Sequence, residues 1–298
     1  MPQELRLLRP GAYQMQGSTN QGLIVQDGQG VLIDAGLDKS TAKDILKVIE
    51  ALQIDLRALI ITHGHTDHFG GATTILQHQK VAVYAPALER AIVENPMLEP
   101  YYLFSGATPI EELTQKFILA RQPCPVHYTL EAGQLEIAGL KLEAIHLPGH
   151  APNQMGIIWR DVCFTADGFF HPETIDKYGI PFYVNVDGAL QTLTKLAQMD
   201  FAYWVPGHGE ALTNAKHLLA QNRVHLEMLR DCCEEALREP RPTEEVLAYV
   251  LSRVDKAVSN AAIYYLCRTT VHACLASLRA HSRIELTFDQ NRALWRRV

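Results

Sequence analysis

Three histidines and one aspartate lie within six consecutive positions of the chain, as His63, His65, Asp67 and His68. Histidine nitrogen and carboxylate oxygen are ligands that zinc, manganese and iron(II) accept, and a carboxylate among histidines is typical of a metal site left open for chemistry. A solvated turn is the alternative, because a chain with 13 histidines will cluster some by chance. The cluster predicts a metal site that activates water.

The residues on either side of this cluster indicate where it lies in the fold. The apolar run from Leu56 to Ile61 is typical of a buried parallel strand, and Gly70-Gly71-Ala72 opens a helical pattern. We therefore expect the ligands on a loop at the carboxyl end of a strand, where open α/β sheets place their functional sites.

Further candidate ligands follow other apolar runs. Pro148-Gly149-His150 and Pro206-Gly207-His208 share one pattern, in which proline ends a strand, glycine permits a sharp turn and histidine comes next. Asp34 and Asp167 also follow strand-like segments. An Asp-Gly pair is more often a turn than a ligand, so Asp167 is a candidate ligand only because the other candidate ligands are also present.

In this order, these residues resemble the five motifs of the metallo-β-lactamase superfamily, and the similarity spans most of residues 1–215. The resemblance implies an α/β fold, the αββα sandwich, and two divalent metal ions, with zinc expected first and manganese or iron also accepted. Position by position, it implies His63, His65 and His150 for one metal, Asp67, His68 and His208 for the other, Asp167 as the bridge, and Asp34 close to both.

A centre with two metals would make the chain a hydrolase that uses a metal-bridging hydroxide as nucleophile. Asp67 would be a ligand, and it could also orient the hydroxide or take up its proton. We first expect a small-molecule substrate with an ester, thioester or lactone bond, because the catalytic part is acidic. A phosphodiesterase acting on single-stranded RNA is the second interpretation, and a non-catalytic, metal-dependent regulator that binds nucleic acid is the third.

The C-terminal part of the chain differs in character. Glu239-Pro240-Arg241-Pro242 indicates a linker, so we expect a catalytic domain over 1–238, with a connecting helix over 214–238, and a small domain over 239–298. Helices followed by a predicted hairpin over 283–298 suggest a winged-helix module. This combination is similar to the lactamase-beta-2-like branch of the superfamily, some of whose members are single-strand endoribonucleases.

The charge of this module gives the RNA interpretation its support. Residues 240–298 hold nine Lys and Arg against five Asp and Glu, a net of +4, whereas the remaining residues hold 18 against 28, a net of −10. Basic modules often contact phosphate backbones, but they also serve as packing or dimer elements. The residues expected to contact nucleic acid are Arg279, Arg283, Arg292, Arg296 and Arg297.

Residues 95–122 interrupt the alternation of strands and helices. Tyr101, Tyr102 and Phe104 are predicted to line a lid or one wall of the substrate pocket, followed by a helix over 110–120; surface packing or an oligomer contact is the alternative. His171 and Tyr183 are candidates to polarise a substrate oxygen, although such residues near a site are more often packing.

Helix boundaries follow from capping residues. We predict helices over 41–52 with Ser40 as cap, over 72–78, from Thr243 with the threonine as cap, and over 269–280.

Composition narrows the remaining classes. With 298 residues, 47% of them hydrophobic, the chain can bury a sizeable core. No apolar run approaches the roughly 18 to 20 residues of a membrane span, and the amino terminus from Met1 to Arg6 lacks the apolar core of a secretory signal. We therefore expect a cytoplasmic protein without a membrane partner, a homodimer by default, and six reduced, mostly buried cysteines.

Overall fold

Two β-sheets lie face to face in the structure, a computed structural model that describes residues 4–298. Residues 1–3, part of the amino-terminal stretch discussed above, lie outside the described residues. The first sheet has seven strands in chain order: β1 (Glu4–Arg9), β2 (Ala12–Gln16), β3 (Gln21–Gln26), β4 (Gln29–Ile33), β5 (Asp55–Ile60), β6 (Ala82–Pro86) and β7 (Tyr128–Leu130). The second sheet contains β8 (Gly133–Ile137), β9 (Leu140–His146), β10 (Met155–Trp159), β11 (Val162–Ala166) and β12 (Tyr203–Pro206).

Strand direction decides which loops meet. From β4 to β7 the first sheet is parallel, so β4 and β5 end at the same edge. In the second sheet β10 runs antiparallel to both β9 and β11, and β12 is parallel to β11, so β9, β11 and β12 share a direction. Loops that follow these strands can therefore converge.

Ten helices of the described chain accompany the sheets. They are α1 (Lys39–Ala51), α2 (Thr66–Phe69), α3 (Ala72–His78), α4 (Ala87–Glu94), α5 (Leu98–Leu103), α6 (Pro172–Tyr178), α7 (Val186–Ala197), α8 (Lys216–Ala236), α9 (Thr243–Arg253) and α10 (Ala261–Ala280). No helix within residues 4–298 combines the length and apolar character that crossing a bilayer requires.

The layers follow from the alternation of side chains along each strand. In β4, Val31 points into the core between the sheets, whereas Leu32 points to the outer face, where it packs with Ile45 and Ile49 of α1. The outer face of the second sheet is covered in the same way by α7, through Leu193. Because both faces of each sheet are covered, the central strands are apolar throughout. The predicted αββα sandwich is confirmed.

Two predicted helix caps are wrong. Helix α1 begins at Lys39, because Asp38 is its cap: the extended Asp38 accepts hydrogen bonds at Oδ1 from the backbone N–H of Ser40 (2.9 Å) and Thr41 (3.2 Å). Helix α9 begins at Thr243 itself, and the Thr243 hydroxyl accepts a hydrogen bond from Trp295 Nε1 at 3.1 Å instead of capping the helix. In both cases a competing hydrogen bond decides.

Two helix lengths also differ from the prediction. The helix expected over 110–120 is a single 3₁₀ turn, Glu111–Thr114, which ends where Gln115 takes an extended conformation (φ −70°, ψ 155°). In contrast, α10 begins eight residues earlier than expected, at Ala261, where Asn260 caps it through the N–H of Ile263 (3.0 Å).

The predicted C-terminal hairpin is present as β13 (Ile284–Asp289) and β14 (Arg292–Arg297). Helices α9 and α10 share an apolar core with α8 and with the segment after β11, through residues such as Leu247, Leu275, Leu226 and Tyr183. This C-terminal core therefore extends across the linker predicted near residue 239. All six cysteines are buried and free, as expected.

Candidate metal centre

Five strand ends meet at one edge of the sandwich. Asp34 follows β4, the cluster from His63 to His68 follows β5, His150 follows β9, Asp167 follows β11 and His208 follows β12. Two of these junctions have a left-handed backbone without glycine, at Asp34 (φ +62°) and at Ala166 (φ +47°), directly before Asp167. Such conformations cost energy and are concentrated at functional sites.

The structure brings together the seven side chains that the sequence suggested as ligands. His150 Nε2 lies 2.7 Å from His65 Nδ1 and 3.3 Å from Asp167 Oδ2. His208 Nε2 lies 3.3 Å from Asp67 Oδ2 and 3.5 Å from Asp167 Oδ2. Three overlapping groups have ligand atoms within 4.8 Å of one another: His63, His65 and His150; His63, His68 and Asp167; and Asp67, His68 and His208.

Outer hydrogen bonds decide which nitrogen of each histidine faces the centre. The Nδ1 atom of His68 bonds to Asp34 Oδ2 (2.7 Å), that of His150 to the carbonyl of Phe182 (2.9 Å), and that of His208 to the carbonyl of Ser18 (2.6 Å). An acceptor at Nδ1 requires a proton there, so in the neutral ring Nε2 carries the lone pair. These three rings therefore present Nε2 as a ligand atom.

Asp34 also sets the tautomer of His63 through Thr62. The Thr62 hydroxyl donates to Asp34 Oδ2 (2.9 Å), and its oxygen lies 3.0 Å from His63 Nδ1. A hydroxyl has one proton, so at this second contact it must accept, and Nδ1 of His63 carries the hydrogen. The backbone N–H of Thr62 donates to Asp34 Oδ1 (2.8 Å). Asp34 thus orients two of the candidate ligands without facing the centre itself.

The inward atoms fit divalent metal ions. His63 Nε2, His68 Nε2 and Asp167 Oδ1 are buried and have no hydrogen-bond partner among residues 4–298. Buried polar atoms are rarely left unpaired, because desolvating them without a partner costs about 1–3 kcal/mol each. Imidazole nitrogen and carboxylate oxygen suit zinc, manganese and iron. The residues that would hold the metals are those of the three groups described above.

The protonation of the metal-free cluster reflects the same crowding. Burial lowers the pKa of His68, but the carboxylates of Asp34, Asp67 and Asp167 outweigh it and raise that pKa to about 10. Burial, together with the neighbouring imidazoles, lowers the pKa of His63 and of His65 well below 6.5. In the metal-free protein His63 and His65 are therefore neutral, whereas His68 carries a proton that a metal ion would have to displace.

Asp67 lies on the open side of the centre. Its side chain is 16% exposed and that of His208 is 26% exposed, whereas His68 is fully buried, so this side of the centre is accessible to solvent. Burial would raise the pKa of Asp67, but His68 and His208 hold it well below its usual range. The hydroxyl of Thr19 donates to Asp67 Oδ2 at 3.1 Å, which fixes the orientation of this carboxylate.

The loop between β2 and β3 was missed as part of the site. The backbone N–H of Asn20 donates to the carbonyl of Gly207 (2.7 Å), and its Nδ2 donates to the carbonyls of Pro206 (2.8 Å) and Gly209 (2.6 Å). These bonds hold the turn that carries His208. A polar Thr-Asn pair between two predicted strands is the signal that could have indicated it, but such pairs are common in turns.

Two buried carboxyl groups in the α4–α5 region were also missed. Glu89 is 1% exposed and accepts two backbone hydrogen bonds, from Gly64 and Asn153 in the loops that carry candidate ligands. Glu99 is 4% exposed, and its Oε2 atom has no hydrogen-bond partner within residues 4–298. Burial, with Asp67 and Glu89 nearby, raises the pKa of Glu99 well above its usual value. A glutamate on an amphipathic helix normally indicates a solvated face, so no local pattern pointed to either residue.

Both residues suggested for polarising a substrate lie near the centre. Tyr183 is buried, its ring lies 5.7 Å from that of Phe170, and burial, followed by the charge of Asp167, raises its pKa, so it stays a phenol. His171 directs Nε2 to the carbonyl of Glu210 at 3.0 Å, beside the turn that carries His208. For both residues, a role in binding substrate stays a prediction.

The aromatic residues of the 95–122 segment lie on two sides of α5. Tyr101 is half-buried and Tyr102 is 38% exposed. The ring of Phe104 meets that of Tyr265 in α10, with centroids 5.3 Å apart. The segment therefore contacts both α2, the helix that carries Asp67 and His68, through Ile118, and α10, through Phe104. Its role as a lid stays a prediction.

Most of the arginines suggested for nucleic-acid contact have partners within the chain. Arg283 pairs with Glu234, Arg292 with Glu245 (3.7 Å) and Arg296 with Glu285, whose Oε1 lies 2.6 Å from Arg296 Nε. Arg297 donates to the carbonyl of Glu234 at 2.9 Å, whereas Arg279 forms no ion pair among residues 4–298. The local positive field is correspondingly reduced.

The sandwich and its histidine and aspartate centre define a class of α/β proteins built to bind metal at the edge of two sheets. The family model of the metallo-beta-lactamase superfamily matches residues 15–208, and the chain belongs to this superfamily. That match includes every candidate ligand and ends at His208.

Its relatives include hydrolases of thioesters. The chain is 31% identical over 157 residues to hydroxyacylglutathione hydrolase GloC of Haemophilus influenzae, covering 51% of this chain and 66% of that protein. It is 25% identical over 278 residues to an atrochrysone carboxyl ACP thioesterase of Aspergillus chevalieri, covering 88% of this chain and 77% of that protein. For the lactamase-like protein aptB of Emericella nidulans, identity is 24%, with 73% and 59% coverage. The chain thus spans about three fifths to two thirds of the length of two of these relatives.

A solved structure extends the similarity over the whole chain. The metallo-beta-lactamase family protein TTHA1429 from Thermus thermophilus superposes with a TM-score of 0.77 at 18% identity, covering 98% of this chain and all of that one. At this identity the likeness concerns the fold, and it includes the helices and hairpin that follow the matched family region.

Proposed function

We propose that this metal-dependent hydrolase cleaves an acyl thioester of a small molecule or of a carrier. The observation that carries the proposal is the set of inward Nε2 and carboxylate atoms, held by outer hydrogen bonds, in a chain similar over 88% of its length to a named thioesterase. Two divalent ions bound there would supply an acidified water and an electrophile for the thioester carbonyl.

Side chains around the centre have different tasks in such a reaction. Asp67 is ionised, accepts a hydrogen bond from Thr19 and lies on the open side, and we propose that it accepts a proton from the attacking water. Tyr183 stays a phenol and can donate a hydrogen bond toward an oxygen that gains charge. A thiol is a good leaving group, so this geometry needs no separate strong acid.

The electrostatics favours a thioester over RNA. The chain carries a net charge of −6. The arginines that would have attracted a phosphate backbone are largely paired with acids of the same chain. We propose that α9, α10 and the hairpin form a winged-helix-like unit whose role is packing against α8.

Parallel turnover assays test this function. Zinc- and manganese-loaded protein would be given an S-acylglutathione, an acyl-coenzyme A, a lactone and single-stranded RNA. We expect thioester cleavage that falls by at least about a thousandfold in Asp67→Ala, as for other removed catalytic groups. Asp44→Ala is the matched control, because Asp44 is a partly exposed acid of α1 that pairs with Lys47 (2.7 Å). Cleavage of RNA with no thioester turnover would contradict the proposal.

A further inference from the structure

One buried carboxylate connects the two loops that carry the three-histidine group. Glu89 Oε2 accepts a hydrogen bond from the backbone N–H of Gly64 at 2.9 Å, and Glu89 Oε1 accepts one from the backbone N–H of Asn153 at 2.8 Å. Gly64 lies between His63 and His65, and Asn153 lies three residues after His150. We infer that Glu89 is the positioning residue that fixes the spacing of His63, His65 and His150.

The position of Glu89 follows from the sheet. Helix α4 begins directly after β6, which is parallel to β5, so the first turn of α4 lies at the same edge as the loop of His63 and His65. This loop approaches α4 closely: a Cβ atom added to Gly64 would lie 3.0 Å from Ile92 Cβ and 3.2 Å from Glu89 Oε2. Glycine at this position therefore permits the hydrogen bond to Glu89.

The arrangement has little reason to exist for stability alone. Glu89 is 1% exposed, and burial raises its pKa, although both backbone hydrogen bonds favour the ionised form. It forms no ion pair among residues 4–298, so no cation offsets the cost of burying it. An apolar residue would pack at this site at lower cost, but it could not join two loops through two acceptors.

The two loops that Glu89 joins carry histidines that face each other at the candidate centre. His65 Nδ1 and His150 Nε2 come from the two connected loops and lie 2.7 Å apart. The other half of the centre has a different support, since Asp34 holds His68 directly. Loss of Glu89 should therefore disturb the three-histidine group and leave the group of Asp67, His68 and His208 intact.

Glu89→Gln is the sharpest variant. A glutamine places an NH₂ group opposite one of the two backbone N–H donors, so one bond is lost while size and shape are kept. Groups that support metal ligands in this way typically change metal affinity by about 10- to 100-fold. Glu89→Asp is a second variant, because it keeps the charge but is one methylene too short to reach both loops.

Glu94→Gln is the matched control from the same helix. Glu94 Oε1 also accepts a backbone N–H, that of Val126 at 3.2 Å, and its other oxygen lies 3.1 Å from Arg90 Nε, but neither partner belongs to a metal-bearing loop. Metal-free forms of all variants would be titrated with cobalt(II), with ligand-field absorption and competition by a chromophoric chelator as the readouts.

We expect one binding step to weaken by about 10- to 100-fold in Glu89→Gln, with a changed cobalt spectrum, and the other step to stay as in the natural protein. Glu89→Asp should weaken the same binding step, and Glu94→Gln should change neither binding step. If Glu89→Gln does not fold, the result for Glu89→Asp decides whether the inference holds. Equal affinities and spectra in all variants, with only a lower Tm for those at position 89, would overturn the inference. The inference rests on the proposed metal-dependent function, which fails separately if the natural protein itself takes up no cobalt or zinc.

Discussion

Metal binding should release protons from this protein, and Asp34 should control one of them. In the metal-free protein the pKa of His68 is about 10, against burial and because of Asp34, Asp67 and Asp167, and the carboxylates likewise raise the pKa of His208 well above 6.5. A group with a pKa of about 10 is about 99% protonated at pH 8. A metal takes the unprotonated Nε2, so binding must displace both protons.

The size of the effect of pH on metal affinity follows from the pKa of His68. Deprotonating His68 at pH 8 costs about 3 kcal/mol, and this cost falls by about 1.4 kcal/mol for each unit of pH up to about 10. Metal affinity should therefore rise about tenfold per pH unit through His68 alone. In Asp34→Asn the amide oxygen can still accept the Nδ1 proton of His68, but the strongest of the three charges that raise its pKa is gone.

Isothermal titration calorimetry with zinc at pH 8, in buffers of different protonation enthalpy, counts the released protons. We expect the Asp34→Asn protein to release fewer protons than the natural protein, because the pKa of its His68 is lower. Asp44→Asn, at a partly exposed acid of α1 that pairs with Lys47, is the control and should release the natural number. Equal proton numbers for Asp34→Asn and the natural protein would refute the assignment of the bound proton to His68.

Three further predictions concern stability and geometry. The pKa of His68 in the folded, metal-free protein is about 10, above its unfolded value of about 6.5. Protonated His68 therefore stabilises the metal-free fold fully below pH 6.5, and this contribution is lost as the pH rises to about 10. The Tm of the metal-free protein should fall across this pH range, and a constant Tm would contradict the prediction. Asn222→Leu removes the side-chain amide that lies 2.8 Å from both the backbone N–H and the carbonyl of Phe170, and leaves these two groups without a partner. The free energy of unfolding, measured by urea denaturation, should fall by about 2–4 kcal/mol. A loss under about 1 kcal/mol would contradict this prediction. Gly207→Ala places a Cβ atom 1.9 Å from Asp167 Oδ1, so elemental analysis should find less bound metal, and natural metal content would show that the turn can adapt.

The class of fold and the candidate ligands can be read from the amino-acid sequence. Each ligand lies within a short loop that follows an apolar run, and the repeated Pro-Gly-His turns occur at strand ends, so the signals are local and can be recognised without the partner strands. The C-terminal hairpin was predicted for the same reason, because alternating residues around Asp289-Gln290-Asn291 define it. The spacing of apolar residues and the residues that form a turn are both set by neighbouring positions in the chain, so both can be read from the sequence.

The way in which these ligands are held depends on contacts between distant parts of the chain. Asn20 reaches the turn of His208 from nearly two hundred residues away, and Glu89 joins two loops that are also distant in sequence. In the 110–120 segment, where a helix was expected, the hydroxyl of Thr66 donates to the carbonyl of Ile118 from about fifty residues away. Thr243 bonds to Trp295 rather than capping its helix. In each case the partner is brought close only by the packed sheets, and a hydrogen bond between distant residues leaves no periodic signal in the chain.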